Sequence, residues 1–304
     1  MEQIKAIQRA IDLIDEQITD KLTITELANA ANFSVYHFSR LFTNLTGMSV
    51  MVYVTRRKLQ FSLYDLCRGK KIVDAAMEYG FETHAGFTKA FKRCFGYPPS
   101  LYRIHAEATL PKRIILSEIK KHLLGGTMLQ PQIINMNAFV IVGYTSQHVM
   151  PDVTRTGDIP AYWDTINMEY ANPLTLLHDT FTKSKHCEYS VCFDANLATG
   201  AFTYLLGVGI DNDEDMDQIQ SNMFKKEMPG GLYAVFTTPQ VQSEKYTESI
   251  HDLWKTILEN WLPNSQYEYD EERWDFEYYD ERDHAWEHNN KVQMDICIPI
   301  RNRQ

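Results

Sequence analysis

Apolar residues recur at helical spacing through the first third of the chain and change to the alternation of strands beyond Gln132. Ile4, Ile7, Ala10 with Ile11, and Ile14 with Ile18 form one stripe and predict a first helix. Thr23 and Glu26 stand in the S/T-x-x-E capping pattern ahead of LANAANF, so a second helix starts there. From Ile72 to Arg103, Ile72, Ala75, Ala76 and Tyr79 share one helical face, and Gly80 supplies a left-handed turn. Phe87, Phe91 and Cys94 with Phe95 then mark a second face, away from His84, Thr88, Lys89, Lys92 and Arg93. A short helix, a tight turn and a basic second helix make the helix-turn-helix plan, which an ordinary packed helix pair also satisfies.

The plan occurs twice. Ala28, Asn32 and Phe33 match Ala76, Gly80 and Phe81 at an offset of 48, and Phe38, Phe42 and Gly47 match Phe87, Phe91 and Gly96 at 49. Asn32 stands for a glycine and tolerates the left-handed conformation better than most residues. Between the copies, Ser49 to Leu66 reads as one helix with Arg56, Arg57 and Lys58 at its middle. It would span roughly 27 Å, near the roughly 34 Å between major-groove faces one turn apart.

The second half predicts strands at Gln132 to Tyr144, Glu188 to Asp194, Phe202 to Ile210, Leu232 to Thr237, Arg273 to Tyr279 and Lys291 to Ile300. Helices are expected at Ile159 to Tyr170 and Lys245 to Leu262, so the order strand, helix, strand, strand comes twice. Leu110 to Gln130, with Pro111, two basic pairs and Gly125-Gly126, reads as a linker containing a short helix. The chain is therefore read as multi-domain: an all-α domain over 1–108 with two helix-turn-helix units, a linker over 109–129, and an α+β domain over 130–304.

Charge sharpens this division. Residues 1–125 carry 18 basic against 12 acidic residues, a net of +6, and residues 126–304 carry 12 against 28, a net of -16. Such asymmetry assigns different partners to the two halves, and the acidic half is not expected to approach phosphate. No stretch approaches the roughly 18 to 20 apolar residues of a membrane span, and the charged N-terminus is unlike a signal peptide. A soluble cytoplasmic protein without a membrane partner is expected. Five scattered cysteines lack ligand spacing and read as buried thiols; no metal or other cofactor is expected. Asp211 to Asp217, DNDEDMD, lacks the glycine and distal glutamate of a calcium loop and reads as a solvated acidic loop.

Two such units joined by a long helix, the second ending in GYPPSLYR, resemble the DNA-binding domain of the AraC/XylS family over about residues 3–107. The resemblance implies recognition helices in successive major grooves of double-stranded promoter DNA. It assigns Tyr36, Ser39, Arg40 and Thr43 in the first unit, and His84, Thr88 and Lys89 in the second, to positions facing bases or phosphates, with Lys92 and Arg93 as phosphate contacts. The second half resembles the GyrI-like (Rob-like) small-molecule-binding domain through GGLYAVF at Gly230 to Phe236, WDFEYY at Trp274 to Tyr279, and DICIPIR at Asp295 to Arg301. Thr237 to Pro239, TTP, departs from the usual polar pocket edge.

The acidic half gathers Tyr162, Trp163, Tyr204, Tyr233, Trp274, Phe276, Tyr278, Tyr279 and Trp286, a composition suited to a cationic or amphipathic effector. Glu277 matches the family's pocket glutamate, although strict strand alternation also lets it face solvent, and Trp163, Tyr204, Tyr233 and Tyr279 are its expected walls. The reading is a one-component transcription regulator rather than an enzyme. A hydrolase using Glu277 as general base, and a docking surface for another protein such as RNA polymerase, are the alternatives.

Overall fold

The computed structural model describes residues 2–106, 109–116, 130–151, 158–168, 172–182, 184–283 and 290–303. Contacts divide the chain into two units, Met1–Cys94 with Ala108–Met128, and Phe95–Glu107 with Leu129–Gln304.

The first unit holds α1 (Glu2–Glu16), α2 (Ile24–Ala30), α3 (Val35–Thr46), α4 (Val50–Cys67), α5 (Ile72–Glu78) and α6 (His84–Phe95). The stripe on α1 is buried as Ala6, Ile7, Ala10, Ile11 and Ile14. The capping box at Thr23 is complete, with Glu26 N reaching Thr23 Oγ1 and Glu26 Oε2 accepting from Thr23 N. Asn32 and Gly80 occupy the corresponding turns with φ of 58° and 83°. Phe38 and Phe42 in one repeat, and Phe87 and Phe91 in the other, are fully buried. Leucine and isoleucine residues complete the core around Phe38 and Phe42 because the facing helices present apolar stripes of matching period. Since a β-branched side chain costs about 1–2 kcal/mol in the left-handed region, Asn32→Val is expected to lower stability by that amount in thermal unfolding while Asn32→Gly stays near neutral.

Of the three basic residues at the middle of α4, Arg57 is buried. It is held against Asp15 through two charge-assisted bonds, Nε to Oδ1 at 2.7 Å and Nη2 to Oδ2 at 2.6 Å. Part of the expected linker also belongs to this unit. Gln8 exchanges hydrogen bonds with Ile114 O and Leu116 N, Arg113 grips Asp12 with two nitrogens, and Leu116 enters the core. The expected linker helix, Lys120-Lys121 and Gly125-Gly126 lie outside the described residues.

The second unit contains α7 (Pro99–His105), although the sequence reading carries its first domain on to 108. Its strands are β1 (Gln132–Met136), β2 (Phe139–Val149), β3 (Glu188–Phe193), β4 (Ala201–Ile210), β5 (Phe224–Met228), β6 (Gly231–Thr237), β7 (Val241–Gln242), β8 (Tyr267–Tyr269), β9 (Phe276–Tyr279), β10 (Lys291–Val292) and β11 (Asp295–Asn302). The helices are α8 (Ile159–Met168), α9 (Pro173–Thr180) and α10 (Tyr246–Thr256), the last continuing through a π turn at Ile257–Trp261. Asn137 and Ala138 break the long strand expected from Gln132, and β5, β8 and α9 were not legible in the periodicity. DNDEDMD is not a solvated loop throughout: Asp213–Met216 forms a helical turn, and buried Asp215 accepts from Ser184 N at 2.6 Å.

The sheet runs β1-β6-β11-β9-β3-β4-β2-β5, all neighbours antiparallel, with β8 added beside β11. Exchange of β1-β2-β3-β4 for β5-β6-β9-β11 turns this order into its reverse. The two strand-helix-strand-strand modules are thus related by an approximate two-fold axis between β3 and β9. There Tyr189 lies opposite Tyr278, Ser190 opposite Glu277, and Glu188 opposite Tyr279. That register makes Glu188-Tyr189 the counterpart of Glu277-Tyr278. Alternation then separates two apolar faces. Phe202, Tyr204 and Leu206 pack with Ile166 beneath α8, while Val191, Leu205, Tyr233, Phe276 and Cys297 pack on the other face.

Candidate functional site

On the helix-covered face of the sheet, the unit encloses a cavity of about 1080 Å³ bounded by α7, α8, α9, α10 and strands β3, β4 and β9. Glu277 projects into it from β9 and is held by three donors: Ser190 Oγ at 2.8 Å, Trp254 Nε1 at 2.8 Å and Tyr279 OH at 2.7 Å. Trp163 Nε1 donates to the Tyr204 hydroxyl at 2.9 Å, and the Trp163 and Tyr279 rings lie 5.5 Å apart. Burial, reinforced by the charge of Glu277, holds the Tyr204 and Tyr279 phenols well above their ordinary range. Both therefore remain protonated donors beside the carboxylate.

Trp163, Tyr204, Glu277 and Tyr279 thus meet in one cavity, whereas Tyr233 does not line it. Its register opposite Pro299 places it on the other face, fully buried against Phe276 with Arg273 over its ring. Phe276 and Tyr278 also lie on that face. Both faces are covered, so Glu277 points away from Phe276 and Tyr278, and toward Tyr279, without pointing to water. Trp286 lies outside the described residues.

Sequence reasoning missed Ser190, Trp254 and two histidine arrangements. Trp254 is fully buried, and its ring stacks on His105 of α7 with centroids 3.7 Å apart and planes at 10°. His105 Nε2 also comes within 2.9 Å of Asp275 Oδ2, ion-pair distance but off the hydrogen-bonding angle. Across the two-fold axis, His178 of α9 approaches Glu188 at 2.7 Å and stacks on His186 with centroids 3.7 Å apart and planes at 12°. Each of the paired glutamates thus meets a ring nitrogen from a helix, and each ring is backed by an imidazole.

In the first unit, Tyr36, Arg40 and Thr43 fall at i, i+4, i+7 on α3 and are all exposed, Tyr36 by 74%. Ser39 is half-buried, and its hydroxyl donates to Val35 O at 2.6 Å. On α6, His84, Lys89 and Arg93 are exposed and Lys92 is half-buried. Thr88 is the exception: its Oγ1 is buried without a hydrogen-bond partner and does not present a donor to solvent. The solvent-facing polar set on α6 is correspondingly His84, Lys89 and Arg93.

Residues 132–300 match the family model of Cass2, integron-associated effector binding protein, and residues 27–104 match a helix-turn-helix domain model. The HTH-type transcriptional regulator YbfP of Bacillus subtilis (strain 168) is 34% identical over 100 residues, 33% of this chain and 34% of that protein. The right origin-binding protein of Escherichia coli (strain K12) is 31% identical over 104 residues, 34% of this chain and 36% of that one. The chain therefore spans about a third of the length of these curated relatives. An integron cassette protein from the mobile metagenome of Vibrio cholerae, 17% identical, aligns over 57% of this chain and 96% of its own at a TM-score of 0.36. Among the described residues, no helix is long and apolar enough to cross a membrane.

Proposed function

The chain belongs to the Cass2 family of integron-associated effector-binding proteins and joins that domain to an AraC-type helix-turn-helix domain; from this premise we propose a transcription regulator that binds promoter DNA through α3 and α6 and senses an amphipathic organic cation in the cavity. One observation carries the ligand class. Asp158, Asp164, Glu188, Glu277 and Asp283 line the cavity, and no lysine or arginine stands among the described lining residues. Aromatic walls add cation-π attraction and exclude water, which strengthens each charge interaction. The three donors on Glu277 favour a fixed anion that orients a cation rather than a base that exchanges protons.

Ligand and DNA affinity are linked only if the ligand binds two conformations unequally. Trp254 supplies the route: its N–H holds Glu277 and its ring holds His105 of α7, which follows α6 in the chain. A cation that draws Glu277 into the cavity competes with that N–H for the carboxylate and loosens the stack. Titration of the full chain with a quaternary aromatic cation, followed by promoter-binding measurements, tests the reading. Saturable ligand binding with unchanged DNA affinity would remove the coupling.

The DNA half is tested separately. Arg40→Ala is expected to weaken binding to a selected duplex by about 1–3 kcal/mol and to relax base preference in one of two segments about one helical turn apart, as read by binding selection. An equal loss on every sequence would reduce Arg40 to a phosphate contact.

A further inference from the structure

The two-fold relation of the modules gives the cavity two glutamate corners, and they have diverged in chemistry. At the Glu277 corner the helix contributes an indole, which donates a hydrogen bond and has no lone pair for a metal. At the Glu188 corner the corresponding ring is an imidazole, and the ring behind it is another. One ligand atom from each of His178, His186 and Glu188 lies within 4.8 Å of the others. We infer that this corner binds a divalent cation of the zinc class through His178, His186 and Glu188, with its fourth position open to the cavity.

Four tetrahedral ligands at about 2.1 Å stand roughly 3.4 Å apart, so the His178–Glu188 contact of 2.7 Å would open slightly while the more distant ligand atoms, all within 4.8 Å of one another, draw in. His178 is anchored on α9 and Glu188 on β3, both half-buried. His186 is the exposed member, so its side chain is placed to make the adjustment. The His178 nitrogen and Glu188 oxygen now share a contact of 2.7 Å; a bound ion would take the place of the proton between them. Two nitrogen donors with one carboxylate favour zinc, cobalt or nickel over calcium and magnesium, which take oxygen ligands. The absence of lysine and arginine from the described lining removes the nearest competitors for the carboxylate. Glu188 and the lining without lysine or arginine serve the organic-cation reading as well, but the metal is expected to bind with no organic ligand present, so the two readings fail separately.

The experiment uses the untagged full chain with its thiols reduced, titrated with Zn²⁺ by calorimetry and with Co²⁺ by visible absorption. One equivalent is expected to bind tightly, with the intense d–d band of a four-coordinate Co²⁺ centre. His186→Ala, an exposed position whose replacement should leave the fold intact, and Glu188→Gln should each weaken that equivalent at least tenfold and weaken the band. His37→Ala, on the helical unit, should leave both unchanged. Absence of a tight equivalent in the parent, or an equivalent that survives both His186→Ala and Glu188→Gln, overturns the proposal and leaves the cluster as a stacked histidine pair with a carboxylate.

Discussion

Trp254→Ala is expected to destabilise the sheet-containing unit by about 3–5 kcal/mol, the cost of emptying a buried aromatic position. Trp254 has 1% of its surface exposed and packs where α10, α7 and β9 meet. Its loss would remove the ring under His105 and leave Glu277 with Ser190 and Tyr279 as hydrogen-bond donors. Trp254→Phe separates these effects: it keeps an aromatic plane for the stack but deletes the N–H, and should cost about 1–3 kcal/mol for the weakened carboxylate network. Urea unfolding followed by far-ultraviolet circular dichroism would measure both. A Trp254→Ala protein within about 1 kcal/mol of the parent would show that the site relaxes around the gap and that Trp254 fixes neither neighbour.

Glu277→Gln should have its main effect on ligand affinity. Glutamine preserves the shape but removes the charge, so a lipophilic aromatic monocation should bind more weakly by about 2–4 kcal/mol, roughly 30- to 1000-fold, as for a buried charge pair that loses one partner. An uncharged compound of the same shape should change less than about threefold, because its contacts are with Trp163, Tyr204 and Tyr279. Comparison of the two ligands by calorimetry isolates the Coulomb contribution. Equal losses would mean that the substitution disturbs the cavity walls, and the selectivity for cations would have to arise elsewhere.

The helical half was legible because its signals are local. A capping pair, a left-handed residue in each turn and phenylalanines on one face define elements without knowledge of distant partners, and Thr23, Asn32 and Gly80 adopt the expected geometry. The sheet half was legible as α+β with duplicated modules but less so in detail. Tyr233 and Tyr204 are both tyrosines in apolar strands, and only the register sends one to the cavity and the other to the opposite face. Trp254 lies within a helix that the periodicity predicts, but its N–H aimed at Glu277 depends on a residue 23 positions later. The histidine corner had one sequence signal, the dipeptide Glu188-Tyr189 repeated at Glu277-Tyr278. Two residues recur too often by chance to establish an internal repeat until the sheet places them across an axis. Thr88 shares α6 with His84, Lys89 and Arg93, but its hydroxyl turns inward, which spacing alone does not show.

The position of β11 has a kinetic consequence. Asp295–Asn302 comes late in the chain yet forms an interior strand, paired with β6 on one side and β9 on the other. During synthesis the helical unit can close from neighbouring segments, while β6 and β9 wait with unsatisfied backbone edges until β11 emerges. Refolding should accordingly show a fast helical phase and a slower sheet phase, and the waiting edges are where intermolecular strand pairing would begin.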